Sequence, residues 1–393
     1  QFFIWGGWYV IIGNYMKANG MGDLTHWAYT VNPIAAIIAP FFLGLIADRY
    51  FATERVLAVL HLLGGVVMLL VPGFVNNPTV FILLLLLYNL CYMPTLGLTN
   101  SLAFHNIENQ EKQFPVIRVF GTIGWIVAGL FISFVLVQFV SQGLKPDETP
   151  LPLYTVGIAS ILLGFYSFSL PHTPPHAKNK PISIQSIVGI DAFQQLKSRS
   201  FYVFLVSSFL ICIPLAAYYN FAPIFVNDVG FSKPAFTMSF GQMSEVLFML
   251  LMPLMFARLG VRRMLLVGMG AWVLRYAFFA IAAPASIFYM IVIGILVHGI
   301  CYDFFFVTGQ IYVDKKSNAD IRGQAQGMLV LVTYGLGMLI GAQVAGKVYN
   351  GFLGSSAALS NMQWQNFWWI PAVFAAVIMI FFALTFKDEV EKE

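Results

Sequence analysis

Four ionisable residues of this 393-residue sequence lie inside long apolar runs: Arg118, Glu245, Arg275 and Asp303. A charge at membrane depth is costly unless it is paired or hydrated, so each needs a partner or a wet cavity. Two are basic and two acidic, which makes the set neutral when both acids are ionised. Salt bridges between helices would satisfy them; a polar cavity within hydrocarbon is the expected arrangement. An acid in such a cavity can carry a proton. Desolvation disfavours the charged carboxylate and a nearby Arg favours it, so relative movement of the two loads and unloads the proton. Asp303 is the first candidate for that role and Glu245 the second, with Arg275 as the opposing cation.

Neighbouring residues add groups that could hold a solute. Arg118, Thr122 and Trp125 fall at i, i+4 and i+7, one face of a helix. That face offers a charged donor, a hydroxyl and a flat ring. Trp can stack on a sugar or base while Arg grips its oxygens. Gly121 and Gly124 lie beside it and permit close helix approach. Gln242 and Glu245 share a face at i, i+3. Asp303, Phe306 and Gln310 share another, with His298 and Tyr302 adjacent. Trp5, Trp8, Trp368 and Trp369 read instead as interfacial belt or packing.

Positioning these residues requires membrane spans. Hydrophobic residues make up 59% of the chain and charged residues 10%, against about 25% charged in soluble globular domains. Lipid is therefore expected to solvate most of the surface. Runs long enough for a bilayer core of about 30 Å occur twelve times: 1–16, 27–47, 56–74, 79–104, 115–140 and 151–170, then 200–226, 236–257, 263–283, 286–312, 323–346 and 364–386. They predict an all-α membrane protein of twelve transmembrane helices in two pseudo-symmetric six-helix bundles, 1–170 and 200–393, the second with a short tail. Residues 171–199 form a polar cytoplasmic linker. Ile184, Ile187, Val188, Asp191 and Phe193 within it have the pattern of a short helix lying on the membrane surface.

Charge sets the orientation. Of the 21 Lys and Arg, fifteen fall in loops on the side of both termini, four on the other side, and Arg118 and Arg275 lie within spans. The positive-inside rule places both termini in the cytoplasm. The halves echo each other: Gly44–Arg49 follows the second span as Ala257–Arg263 follows the eighth, and Ile117-Arg118 opens the fifth as Ile321-Arg322 opens the eleventh. Such repeats imply a binding cavity near the bilayer midplane, where the halves meet.

Several classes are excluded. The basic residues are scattered, which is not a nucleic-acid footprint. The three cysteines sit in apolar runs and the six histidines lack ligand spacing, so neither a disulfide framework nor a metal site is expected. Gly341–Lys347 resembles a phosphate loop, but Val348 follows it and it ends a span instead of following a strand. No nucleophile–base pair suggests an enzyme. The few polar residues are asymmetric, unlike a channel filter, and a sensor with an appended soluble domain is not expected.

The residues also resemble known families. Gly44-Leu-Ile-Ala-Asp48-Arg49, with the twelve-span layout, looks like the loop signature of the major facilitator superfamily. Closer likeness runs through Tyr92–Asn100, Phe114–Gly124, Gln242–Glu245, Tyr302–Phe305 and Ile321–Gly327, which resemble the bacterial nucleoside–proton symporters, and nearest their less studied branch. The resemblance implies proton-coupled nucleoside uptake by a bacterial inner-membrane protein, by alternating access and without a cofactor. It implies that Arg118, Thr122, Gln242 and Glu245 contact the nucleoside, that Asp303 is tied to proton coupling, and that Asp48 and Arg49 latch the cytoplasmic side. His298 stands where better-known members have an aromatic residue near the substrate.

In the seventh span, where those members carry Gln and Asn, this chain has Ala216 and Tyr219, with Asn220 next in line. Trp125 and the Tyr218/Tyr219 pair are expected to supply stacking surfaces. The Arg118–Thr122–Trp125 face, with Glu245, Arg275 and Asp303, also resembles the galactoside–proton symporters, which keeps a sugar or glycoside as the alternative substrate. The expected partners are a nucleoside, a proton and membrane lipid, and the expected state is a monomer.

Overall fold

The computed structural model describes residues 1–43, 50–175, 188–318 and 321–387, apart from the side chains of 110–112 and 115. All regular elements among them are helical. The chain divides into two compact units, Gln1–Ile187 and Val188–Glu393.

In the first unit the helices are α1 (Phe2–Tyr9), α2 (Ile12–Ala18), α3 (Thr25–Phe42), α4 (Thr53–Leu70), α5 (Pro78–Asn106), α6 (Gln110–Leu130) and α7 (Leu151–Ser167). In the second they are α8 (Ile190–Gln195), α9 (Arg199–Asp228), α10 (Pro234–Ala282), α11 (Phe288–Leu296), α12 (His298–Tyr302), α13 (Thr308–Lys316), α14 (Arg322–Val330), α15 (Met338–Leu353) and α16 (Asn361–Thr385).

Eight helical segments among the described residues are long and apolar enough to cross a membrane. The remaining expected runs are largely helical where described, with turns at residues 10–11 and 168–169, and local causes keep them from that count. α1 and α2 are each too short. α3 carries His26, Thr30 and Asn32, all buried. α7 has 17 residues. α10 has 49 residues, about 70 Å of helix at ~1.5 Å per residue, more than two bilayer cores. It holds two expected spans, and the chain breaks helical geometry between them at Gly260 (φ 66°, ψ 176°). A positive φ of this kind suits glycine, and Gly260 lies in the loop expected at Ala257–Arg263.

The surface confirms the solvent. Leu384, Phe139 and Leu250 are 79%, 73% and 72% exposed, while Arg275 and Asp303 are fully buried. Water would not favour an apolar exterior over ionisable interior groups, whereas lipid does. This is a multi-pass membrane protein.

Lipid gives no hydrophobic drive for helices to associate, so close backbone approach and polar contacts must do it. In the first unit, α4 crosses α7 at Gly65 and Gly157, where a Cβ on either would come within 3.0 Å of the other's carbonyl oxygen. Asn32 donates to Asn89 Oδ1 (2.9 Å) between α3 and α5. His61 of α4 meets Ser160 of α7 at 3.1 Å, and the Ser160 hydroxyl donates to the His61 carbonyl. In the second unit, a Cβ on Gly299 would lie 2.5 Å from the Ser244 carbonyl, and one on Gly341 would lie 2.8 Å from that of Cys212. α12 therefore touches α10, and α15 touches α9, almost backbone to backbone.

Candidate functional site

The chemistry-bearing residues divide between the units: Arg118, Thr122 and Trp125 in the first, the others in the second. On α6, Arg118 lines a cavity of about 310 Å³ with Phe2, Thr99, Asn100, Phe114 and Gly121 among the other walls. Its guanidinium carbon sits 4.8 Å from the Phe2 ring centroid. Thr122 is half-buried. Trp125 instead joins an aromatic cluster, with ring centroids 5.4 Å from Trp5 and 6.2 Å from Tyr9. Gly6 makes room for it, since a Cβ there would fall 2.8 Å from Trp125 Cγ. The Trp125 indole nitrogen is buried without a hydrogen-bond acceptor. Trp5, Trp8 and Trp368 are buried packing residues, whereas Trp369 is 40% exposed.

In the second unit α10 and α12 bring most of the remaining residues together. Gly241 abuts the His298 side chain, which sets Gln242 and Glu245, on the same stretch of α10, against α12. The Gln242 side-chain oxygen is buried without a partner. Asp303 opens a widened, π-helical turn, Asp303–Val307, that follows α12 directly. Such turns interrupt the regular ladder and often sit at functional positions. Asp303 is fully buried, neither carboxyl oxygen has a hydrogen-bond partner among the described residues, and Glu245 is near enough to repel it electrostatically.

Arg275 comes from the second stretch of α10 and is fully buried. Its Nη2 lies 2.9 Å from His298 Nδ1, and its guanidinium carbon sits 4.0 Å from the Tyr218 ring centroid. Nε and Nη1 find no hydrogen-bond acceptor. The Tyr276 hydroxyl, also beside this guanidinium, donates to the Pro214 carbonyl at 2.5 Å. Arg275 thus engages rings, and no contact joins it to Asp303 among the described residues. Tyr218 stacks on His298 (5.4 Å, 20°), Tyr219 meets the same ring edge-on (6.1 Å, 83°), and Tyr302 lies 5.9 Å away. Ala216 packs on Gly341, and Asn220 is fully buried with both side-chain ends unpartnered.

The sequence model described as "Nucleoside H+ symporter" matches residues 1–391. The chain belongs to that family. It is 38% identical over 397 residues to the Escherichia coli K12 protein named "Putative nucleoside transporter YegT", covering 99% of this chain and 92% of that one. It is 30% identical over 404 residues to the nucleoside permease NupG of the same organism, covering 98% and 93%. The crystal structure of nucleoside transporter NupG superposes with a TM-score of 0.84 at 29% identity, over 99% of this chain and 97% of that one. This symporter-family chain is therefore a transporter and not an enzyme, with the fold of the NupG structure. The peptide transporter PepTSo, at 14% identity and a TM-score of 0.73 over 98% of this chain and 95% of that one, shares the fold alone.

Asp48 and Arg49 of the family member's expected latch, and residues 176–187 of its linker, lie outside the described residues. α8 is the short helix that follows, and Gly189 before it (φ +80°) abuts Gln324 and Met328.

One polar cluster has no signal in the sequence reading. Glu54, 4% exposed at the start of α4, accepts from His172 Nδ1 (2.9 Å) and from the Thr173 amide (3.0 Å). The Thr53 amide donates to the Thr173 carbonyl, and Asn106 donates to the Thr173 hydroxyl. Glu54 looks like an ordinary span-end charge beside Arg55; its partners lie more than a hundred residues away.

Proposed function

We propose that this protein takes up nucleosides together with protons across the bacterial inner membrane, by alternating access, as a monomer with both termini in the cytoplasm. Family membership supports the nucleoside and proton; likeness to the galactoside symporters is not favoured. The observation that carries the coupling step is Asp303, a fully buried acid with no hydrogen-bond donor on either oxygen among the described residues. Burying a carboxylate unsatisfied costs far more than burying the neutral acid. Asp303 therefore holds a proton while enclosed and releases it where water reaches it, with Glu245 beside it sharpening the preference for one negative charge over two.

Arg118, Thr122, Gln242 and Glu245 pair with the oxygens and nitrogens of the nucleoside. Tyr218, Tyr219, His298 and Tyr302 supply ring faces and edges. Arg275 acts on the coupling step through the α10–α12 packing. Asp48 and Arg49 latch the cytoplasmic side. No cofactor takes part; the proton gradient supplies the work.

The test is uptake of labelled uridine, adenosine, xanthosine and a galactoside into proteoliposomes, with and without an acid-outside gradient. Nucleosides should accumulate above the outside concentration only with the gradient, and the galactoside should not. Accumulation of the galactoside alone, or uptake indifferent to the gradient, would refute the reading.

A further inference from the structure

We propose that Arg275 is a positioning residue that locks His298 in one tautomer, so that His298 presents an Nε2–H donor to an acceptor atom of the bound nucleoside. This inference rests on the reading above.

Arg275 Nη2 and His298 Nδ1 are 2.9 Å apart. A guanidinium has only donors, so Nδ1 must accept, and in the neutral ring the single proton then belongs to Nε2. The guanidinium itself cannot swing away easily. It is fully buried and lies on the Tyr218 ring at 4.0 Å. Tyr218 also stacks on the imidazole at 5.4 Å and 20°, so one ring holds both members of the pair in plane. Gly241 closes on the other side, with only 3.2 Å between the His298 Cβ and the place its own Cβ would take.

No further hydrogen bond of His298 appears among the described residues, which leaves Nε2–H as a donor awaiting an acceptor. Two polar groups of the neighbourhood, the Tyr218 hydroxyl and the Gln242 side-chain oxygen, are buried without a hydrogen-bond partner among the described residues. A solute with both acceptors and donors would satisfy all three. The substrate class is thus a nucleoside whose base offers a ring nitrogen or carbonyl oxygen to His298, and Arg275 sets the polarity of that contact.

Two measurements on the purified full-length protein test this. The first needs no substrate: nitrogen NMR of histidine-labelled protein, with the His298 signals assigned by their loss in His298→Phe. A protonated Nε2 and a bare Nδ1 are expected in the wild type, and a mixture of tautomers in Arg275→Met. A protonated Nδ1 in the wild type, or an unchanged spectrum in Arg275→Met, overturns the lock.

The second is binding of adenosine and its 1-deaza, 3-deaza and 7-deaza analogues, each lacking one ring acceptor. The wild type should bind one analogue about tenfold more weakly than adenosine, as loss of a hydrogen bond to a buried donor implies. His298→Phe, which keeps the ring stack, should level that difference. His298→Gln, whose amide reaches the Nε2 position, should restore part of it. Discrimination in His298→Phe equal to that of the wild type overturns the donor role. If the wild type binds no nucleoside, the functional reading has failed and the spectrum decides the lock alone.

Discussion

Glu54 and Asp303 are both buried carboxyl groups, and the protein treats them in opposite ways. Each Glu54 oxygen receives a donor, one from His172 and one from the Thr173 amide, and the peptide of Thr173 bonds back to α4. Asp303 receives nothing on either oxygen and faces a second acid. A fully satisfied buried charge ties segments together, and removing one partner strands the others. An unsatisfied one contributes no such tie and is free to change its charge. The comparison separates a carboxylate that holds the fold from one whose protonation can be exchanged.

The sharpest break of that comparison is Asp303→Asn. Gradient-driven accumulation should fall to equilibrium while exchange of nucleoside across the bilayer persists, as counterflow assays would show, and the melting temperature should hold or rise because no hydrogen bond is lost. Retained accumulation would remove Asp303 from coupling. Glu54→Ala should do the reverse. Stranding the buried Thr173 amide, together with losing the contact to the exposed His172 ring, should lower stability by about 2 kcal/mol, seen as a lower melting temperature in detergent, with nucleoside affinity unchanged.

Smaller effects sharpen the same contrast within the Arg275 cluster. Tyr276→Phe removes the hydroxyl that donates to the Pro214 carbonyl, and should cost about 1 kcal/mol of stability. Tyr218→Phe removes a hydroxyl that has no partner, so the melting temperature should move little, while nucleoside binding weakens a few-fold. A large loss of stability in Tyr218→Phe would show that its hydroxyl belongs with the structural groups and not with the substrate.

The fold was legible in the sequence because lipid leaves few options for a spanning chain. Every backbone group must be satisfied within its own segment, so a long apolar run can only be a helix; of the twelve expected runs, eight helical segments among the described residues are long and apolar enough to span, one of them covering two runs. The presence of Arg118, Glu245, Arg275 and Asp303 within those runs, and the family that their surroundings resemble, were equally plain.

Pairing was not legible. Helical periodicity shows which face a residue shares but not which helix meets that face. Arg275 was expected opposite Asp303 from charge alone; the crossing of α10 and α12 puts it on His298 and Tyr218, while Asp303 stands without a partner. Trp125 shares a helix face with Arg118, yet the gap left by Gly6 draws its ring into the Trp5–Tyr9 cluster. The sequence by itself determined the solvent, the helices and the ionisable groups sunk within them, since each follows from one segment's own chemistry. Only the tertiary structure decided which of those groups are satisfied, because satisfaction depends on distances between segments far apart in the chain, set by where small residues let backbones touch.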